Sequence, residues 1–180
     1  MIQRSLFINI GNLFFRYRSY LPFPIILLAF YIYYISPIIK IDSFMFNSCL
    51  SISLTGLLIR IFVVGHSFDK TSGRNTKSQL ALKINKTGIY SLIRHPLYLG
   101  NFLIWFGVSL ITYNLYFVTL SLVSYWFIYI PIILAEEDYL IKKFKNEYKL
   151  YSSSIPAIIP NFRKWIPPEL SFNYKKVLLN

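Results

Sequence analysis

The amino-acid sequence predicts an all-α integral membrane protein with about four transmembrane helices and interfacial helices at the N-terminus and the C-terminus. Of its 180 residues, 55% are hydrophobic and the mean hydropathy is +0.48, which is more apolar than a soluble domain of this size. The net charge of +12 comes from residues between apolar runs, a pattern typical of membrane topology and not of a nucleic-acid-binding domain. We therefore expect contact with membrane lipid and none with nucleic acid.

The N-terminal residues predict a short helix that lies in the membrane interface. Leu6, Ile10 and Leu13 recur at helical spacing, and the nearby arginines fall elsewhere. The apolar runs that follow have about 17–22 residues each, enough to cross a hydrocarbon core of roughly 30 Å. They cover residues 21–39, 44–65, 97–113 and 115–135. The last two are so close in sequence that they must form an antiparallel hairpin.

The polar segments divide the chain into three parts. Residues 1–65 hold the N-terminal helix and the first two apolar runs, residues 66–160 hold a polar loop and the hairpin, and residues 161–180 form a C-terminal tail. The lysines and arginines lie near the N-terminus, in the loop and beyond the hairpin, apart from Lys40 and Arg60. The positive-inside rule therefore predicts that both termini and the loop face the cytoplasm. Arg60 itself is interpreted as a snorkelling side chain.

Cysteine and histidine are too few for a protein-ligated metal centre. The single Cys49 lies in an apolar run and excludes an intrachain disulfide, and only His66 and His95 remain as imidazole ligands. We therefore expect no metal cofactor.

The junction between the loop and the third run predicts a binding site. Arg94 and His95 precede Pro96, which is suited to the first position of a helix. The amides of residues 97–99 would then lack acceptors within the helix, and an anion would be attracted there. Tyr98 lies on the same helical face as Arg94 and His95. Gly100 and Gly107 leave a smooth surface that another helix or a ligand can approach closely.

A pair of carboxylates at the end of the fourth run is the second informative feature. Asp138 has Lys142 four residues later, whereas Glu136 and Glu137 have only apolar residues at that spacing. Unpaired carboxylates at a membrane boundary need partners from another part of the chain. Because the hairpin makes the ends of the two runs neighbours, Arg94 and His95 are the expected partners.

Together these stretches resemble the isoprenylcysteine carboxyl methyltransferase family, which is related to the phospholipid N-methyltransferases. The resemblance covers roughly residues 80–160. It rests on Gly88-Ile89-Tyr90, on Arg94-His95-Pro96-Leu97-Tyr98-Leu99-Gly100, and on Glu136-Glu137 followed by Leu140, Phe144, Tyr148 and Tyr151.

The resemblance implies a membrane enzyme that transfers a methyl group from S-adenosylmethionine to a lipophilic or lipidated acceptor. Residues 66–160 would then be the cofactor-binding core. The family's motifs place the cofactor against Tyr90, His95, Pro96, Leu97, Tyr98, Gly100 and Glu136, with Lys83 to Asn85 nearby. Arg94, His95 and Glu137 are the candidates for catalytic roles. We expect the cofactor's carboxylate near Arg94 or His95 and its ammonium near the glutamates.

The identity of the acceptor stays open at this point. Prenylcysteine methyltransferases carry an arginine just before the acidic pair, where this chain has Ile132-Ile133-Leu134. A phospholipid or other lipid N-methyltransferase is therefore an alternative. A sterol-reductase-like enzyme that uses NADPH shares the His-Pro-x-Tyr element, but it usually has Asn and an acid where this chain has Leu97 and Asn101. The remaining alternative is a small membrane protein without enzymatic activity.

Overall fold

The computed structural model describes residues 2–35, 42–68, 71 and 79–179, and the regular structure within these ranges is helical. The all-α prediction is thus confirmed for this part of the chain. The helices are α1 (Ile2–Tyr17), α2 (Phe23–Ile35), α3 (Ser43–Gly65), α4 (Pro96–Leu110), α5 (Leu115–Phe144), α6 (Asn146–Ser154) and α7 (Tyr174–Leu178). The end of the first predicted run (residues 36–39), Lys40, Lys77 and Asn180 lie outside the described residues.

Two helices, α3 with 23 residues and α5 with 30, are long and apolar enough to cross a membrane by length and composition. Helices α2 and α4 are also apolar, but at 13 and 15 residues they are shorter. Four crossings therefore remain a prediction. Helix α2 exposes apolar side chains along one face, including Leu27 at 66%, Phe30 at 67% and Tyr34 at 87%. Apolar surface of this extent is typical of a protein associated with a membrane.

Helices α3 and α4 pack closely through glycines. A Cβ atom at Gly56 would stand 2.5 Å from the carbonyl oxygen of Gly100, and one at Gly107 would stand 2.6 Å from the carbonyl oxygen of Cys49. These distances leave no room for a side chain, so the smooth surface predicted at Gly100 and Gly107 receives another helix. This contact fixes the start of α4 against α3.

We expect Gly56→Val to destabilise the protein by at least about 1–3 kcal/mol, since the new side chain must separate two backbones. Thermal unfolding in detergent can be followed by the reaction of a thiol dye with Cys49, which is only 5% exposed. Leu58→Phe adds bulk to a side chain of the same helix that is 64% exposed, and it is the matched control. An unchanged melting temperature for Gly56→Val would contradict the close packing of α3 on α4.

The N-terminal helix lies along α5, a contact that the sequence does not predict. A Cβ atom at Gly11 would stand 2.0 Å from the carbonyl oxygen of Pro131, and the rings of Phe14 and Phe127 are 6.1 Å apart. Because the later residue of α1 meets the earlier residue of α5, the two helices run antiparallel. Gly11 permits this arrangement because it brings no side chain between them.

The predicted hairpin of the last two apolar runs is present as α4 and α5. A short turn joins them, in which Tyr113 has a φ of 53°. The Asn114 side chain then accepts a hydrogen bond of 3.0 Å from the amide of Phe117 and caps α5. The hydroxyl of Tyr125 donates to the carbonyl oxygen of Tyr98 at 2.6 Å, which ties the two helices together.

The residues after α6 are hydrogen-bonded back onto the segment that precedes α4. The amide of Gly88 donates to the carbonyl oxygen of Ile166 at 2.8 Å, and the amide of Asn161 donates to Leu92 at 2.9 Å. Gly88 has a φ of 63°, a left-handed backbone conformation that favours glycine where this residue contacts Ile166. Residues 161–179 therefore do not form a separate tail. They form one side of the region that surrounds the start of α4.

Candidate functional site

The start of α4 and the end of α5 bring the two predicted motifs together. The hydroxyl of Tyr98 donates to Glu136 Oε2 at 2.7 Å, and His95 Nδ1 lies 3.7 Å from the same oxygen. On its other side, His95 Nε2 lies 3.1 Å from Glu137 Oε1, which also accepts from Arg94 Nη2 at 2.6 Å. The acidic pair thus has the partners that the sequence predicts, and His95 lies between the two carboxylates.

Arg94 is committed to protein acceptors. Its Nε and Nη2 atoms both donate to Glu137, at 2.9 and 2.6 Å, and Nη1 donates to the carbonyl oxygens of Ser152 and Ile155 at 2.7 and 2.6 Å. The Arg94 side chain is only 13% exposed. This geometry therefore does not favour the expected contact between Arg94 and the cofactor's carboxylate. Arg94 instead clamps the start of α4 to α5 and to the end of α6.

The backbone donors at the start of α4 are also more occupied than the sequence predicts. The amides of Tyr98 and Leu99 donate to the carbonyl oxygen of His95, at 3.1 and 3.2 Å. The amides of Arg94 and His95 donate to residues 156 and 157, beyond α6. The expected group of free amides is thus reduced, because His95 caps the helix with its own carbonyl and residues 156 and 157 supply further acceptors.

His95 is buried, with 5% of its surface exposed, and its ring stacks on that of Tyr98 at 5.6 Å. Burial acts to lower the pKa of His95, but the carboxylates of Glu136 and Glu137 act in the opposite direction, and together they raise it above its ordinary value. The site therefore favours the protonated imidazolium, held between two acceptors.

The raised pKa of His95 predicts how stability depends on pH. A group whose pKa is higher in the folded protein than in the unfolded chain stabilises the fold fully at a pH below the pKa of the unfolded chain. This stabilisation is lost as the pH rises through the pKa of the folded protein. The melting temperature of the wild type minus that of His95→Gln should therefore fall from pH 6 to pH 9. Thiol-dye melts in detergent measure both proteins. A difference that grows with pH would contradict the imidazolium between the glutamates.

The Gly88-Ile89-Tyr90 element forms a 3₁₀ turn, Ile89–Ser91, beside this network. The hydroxyl of Tyr151 donates to the carbonyl oxygen of Tyr90 at 2.7 Å, which links the first and the last parts of the predicted motif set. Burial, and secondly the charge of Glu136, raise the pKa of Tyr90, so its phenol remains a neutral donor. The three sequence elements therefore meet in space.

A cavity of about 1020 Å³ opens beside these residues. Of the predicted site residues, those that line it are Tyr90, Arg94, His95, Pro96, Leu97, Tyr98 and Glu136. Lys83 and Asn85 also line it, as the resemblance implies. Gly100 instead packs against α3, and Glu137 stands behind His95 as the partner of Arg94. The cavity is therefore the candidate ligand site.

Sequence reasoning missed or undervalued three further groups in the cavity wall. Arg60 donates to the Asn101 side chain, which in turn donates to the Tyr129 hydroxyl at 3.2 Å. Helix α1 and the turn after it contribute Phe15, Arg18, Ser19 and Pro22, and the C-terminal segment contributes Lys176 and Leu179. Asn101 directly follows the motif and could have been suspected. Nothing in the sequence pattern places α1 or the tail at the site.

Fold and site together define a helical, membrane-associated protein with a large cavity and a buried carboxylate–histidine network in its wall. A family model described as phospholipid methyltransferase matches residues 50–147. The chain belongs to this family, and the matched segment contains both motifs.

Relatives of the chain agree with the resemblance seen in the motifs. The chain is 34% identical over 102 residues to the protein-S-isoprenylcysteine O-methyltransferase of Saccharomyces cerevisiae, covering 57% of this chain and 42% of the yeast protein. It is 28% identical over 131 residues to the protein of the same name from Schizosaccharomyces pombe, covering 68% and 56%. The chain thus spans about half the length of these relatives. No solved structure matches the chain. The resemblance to the isoprenylcysteine carboxyl methyltransferase family is confirmed.

Proposed function

We propose that the chain is a membrane-embedded methyltransferase that transfers a methyl group from S-adenosylmethionine to a lipophilic acceptor. The observation that carries the proposal is the position of Glu136, which lines the cavity and is held by Tyr98 and His95. The two fungal relatives, named for isoprenylcysteine O-methylation, support the same reaction class. Their names make a lipid-modified cysteine the first acceptor to test.

The residues around the cavity fit the cofactor. The chemistry that S-adenosylmethionine supplies when bound is an electrophilic methyl group on a sulfonium centre. Glu136 would bind the cofactor's ammonium, because it is the acidic side chain in the described cavity wall. Tyr98 and His95 orient this carboxylate, and the neutral phenol of Tyr90 offers a further hydrogen bond. Arg94 and Glu137 would act by positioning His95 and not by touching the cofactor.

The two carboxylates beside His95 favour a methyl acceptor that does not need a base. A carboxylate can be methylated without losing a proton, whereas an amine must lose one. The Nδ1 atom of His95 faces Glu136 and the Nε2 atom faces Glu137, so neither ring nitrogen is directed at an acceptor amine. We therefore infer O-methylation of a carboxylate. N-methylation of a phospholipid, suggested by the name of the family model, is the competing activity.

We further propose that α2, α3, α4 and α5 all cross the membrane, with both termini and the cavity mouth on the cytoplasmic side. The charge distribution and the exposed apolar surface of α2 support this arrangement. An impermeant thiol reagent applied to intact cells should label Asp42→Cys but not Lys164→Cys, each in a Cys49→Ser background. Labelling of Lys164→Cys alone would reverse the proposed orientation.

Binding and turnover in detergent test the proposed function. We expect the purified protein to bind S-adenosylmethionine and not NADPH, and to methylate S-farnesylcysteine with a blocked amine in preference to phosphatidylethanolamine. The amine-blocked probe offers only its carboxylate to the enzyme. Binding of NADPH alone would favour a reductase, methylation of phosphatidylethanolamine alone would favour an N-methyltransferase, and binding of neither cofactor would favour a protein without this enzymatic activity.

A further inference from the structure

The segment after α6 exposes large apolar side chains. The four that are exposed are Ile159 at 79%, Phe162 at 77%, Trp165 at 47% and Ile166 at 51%. A 3₁₀ turn lies among them at Phe162–Lys164. Residues three apart share a side in such a turn, so Phe162 and Trp165 project together. We name residues 159–166 the outer loop, and its apolar side chains form a surface that suits a membrane.

The outer loop lies at the end of a helix that is long enough to cross a membrane. The rings of Trp165 and Phe62 are 6.4 Å apart, and Phe62 lies three residues before the end of α3 at Gly65. At a rise of about 1.5 Å per residue, this contact is within roughly 5 Å of the end of the helix. Tryptophan is enriched at this depth, where its ring borders both lipid and water. The contact therefore places the outer loop at one edge of the bilayer.

The charge of the outer loop suits an anionic headgroup. Residues 155–168 contain two basic residues and no acidic one, and the nearest acid in the sequence is Glu169. Lys164 donates to the carbonyl oxygen of Ser154, whereas the side chain of Arg163 is exposed. A guanidinium can bind a phosphate by two parallel hydrogen bonds. Apolar side chains that insert and a cation at the surface are together typical of an interfacial anchor.

Hydrogen bonds hold the outer loop against the segment that precedes α4. The amide of Asn161 donates to the carbonyl oxygen of Leu92 at 2.9 Å, and the amide of Ile166 donates to the hydroxyl oxygen of Ser91 at 2.9 Å. Ser91 is buried, with 1% of its surface exposed. The position of the outer loop is therefore coupled to that of residues 88–95, which supply part of the cavity wall.

We propose that the outer loop inserts into the headgroup layer of an anionic membrane leaflet, that Arg163 binds a lipid phosphate there, and that this contact stabilises residues 88–95. The apolar side chains account for binding to any bilayer, and Arg163 accounts for a preference for phospholipids with a net negative charge. Phosphatidylglycerol represents these lipids in the tests. Such an anchor would exist whatever reaction the cavity supports, because it depends only on α3 as a membrane helix.

Spin labels in nanodiscs measure the depth of the outer loop. Phe162→Cys and the control Glu147→Cys each carry a nitroxide, in a Cys49→Ser background. Glu147 forms an exposed ion pair with Lys86, which indicates a place in water. We expect the label at position 162 to collide more with oxygen, which concentrates in the bilayer, than with a water-soluble nickel chelate, and the label at position 147 to do the reverse.

Two results would exclude insertion into lipid. If both positions favoured collision with the nickel chelate, the outer loop would lie in water. If labels at position 162 broadened each other's spectra in detergent, a second copy of the chain would cover this surface in place of lipid.

Native mass spectrometry in detergent tests the preference for lipid charge by comparing phosphatidylglycerol with phosphatidylcholine. One cation near the headgroups changes the affinity for an anionic lipid by about fivefold. Arg163→Gln should therefore lower the ratio of the two affinities by about that factor, and Arg163→Lys should retain most of it. Lys149→Gln removes an exposed cation of α6 and is the matched control, with an unchanged ratio. Equal losses in Arg163→Gln and Lys149→Gln would indicate an effect of net charge alone and overturn the role of Arg163.

Hydrogen exchange tests the coupling between the outer loop and the cavity wall. The amides of residues 88–95 should exchange more slowly in nanodiscs with phosphatidylglycerol than in phosphatidylcholine alone. The factor should be up to about fivefold, since a lipid cannot stabilise the segment by more than its preference in binding. Arg163→Gln should remove the difference, and exchange that does not respond to the lipid would overturn the coupling. None of these measurements needs a cofactor or an acceptor, so their outcome is independent of the proposed methyl transfer.

Discussion

Arg94→Gln should destabilise the protein by about 3–5 kcal/mol, the cost typical of removing one partner from a buried ion pair. The substitution leaves Glu137, whose side chain is 21% exposed, without its guanidinium partner. It also removes the donor shared by the carbonyl oxygens of Ser152 and Ile155. Thermal unfolding in detergent, followed by the reaction of Cys49 with a thiol dye, measures the loss.

Two further variants show whether the geometry of Arg94 matters as well as its charge. Arg94→Lys keeps the charge but cannot reach three acceptors in different directions, so it should recover only part of the stability. Lys142→Gln breaks the exposed pair with Asp138, which has a distance of 2.6 Å, and should cost less than about 1 kcal/mol. Equal effects of Arg94→Gln and Lys142→Gln would contradict the role of Arg94 as a clamp.

Glu136→Gln and His95→Gln should each weaken S-adenosylmethionine binding by about ten- to a hundredfold, since each removes a charged contact or its support. The two residues are 3.7 Å apart and would act on one bound molecule. The double variant should therefore lose less than the sum of the two single losses in free energy. Titration calorimetry of the four proteins in detergent measures these affinities.

Asp138→Asn is the control for the acidic residues. Asp138 lies next to Glu137 in sequence, yet its partner is Lys142 and it does not line the cavity. Because the Asp138–Lys142 pair is weak and lies outside the cavity wall, the substitution should change cofactor affinity by less than about twofold. Wild-type affinity in both Glu136→Gln and His95→Gln would remove the shared cofactor site and with it most of the support for the proposed function.

The sequence predicts the meeting of the two motifs because a hairpin constrains it. Once two apolar runs are joined by a short turn, the start of one must lie beside the end of the other, and Glu136 and Glu137 then have Arg94 and His95 as neighbours. The sequence also predicts the close approach of another helix to α4, since Gly100 and Gly107 share one helical face.

Other parts of the site carry no such local constraint. The carbonyl oxygens that accept from Arg94 belong to the backbone of residues 152 and 155, and a backbone acceptor leaves no signature in a sequence. The side-by-side packing of α1 and α5 depends on Gly11 and Pro131, which are far apart in the chain. Long-range contacts of this kind explain why the sequence alone does not place Arg18 in the cavity wall.

The hydrogen bonds between the C-terminal segment and the start of α4 also bear on how the protein can be divided. The carbonyl groups of Pro156 and Ala157 receive the amides of Arg94 and His95, and Ile166 receives that of Gly88. All three acceptors lie beyond residue 147, where the family match stops. A fragment trimmed to the matched segment would expose these amides and lose the acceptors of Arg94, so the folded site extends beyond the segment that the family model matches. Truncation for crystallisation, and tags fused close to the last helix, therefore act directly on the candidate site.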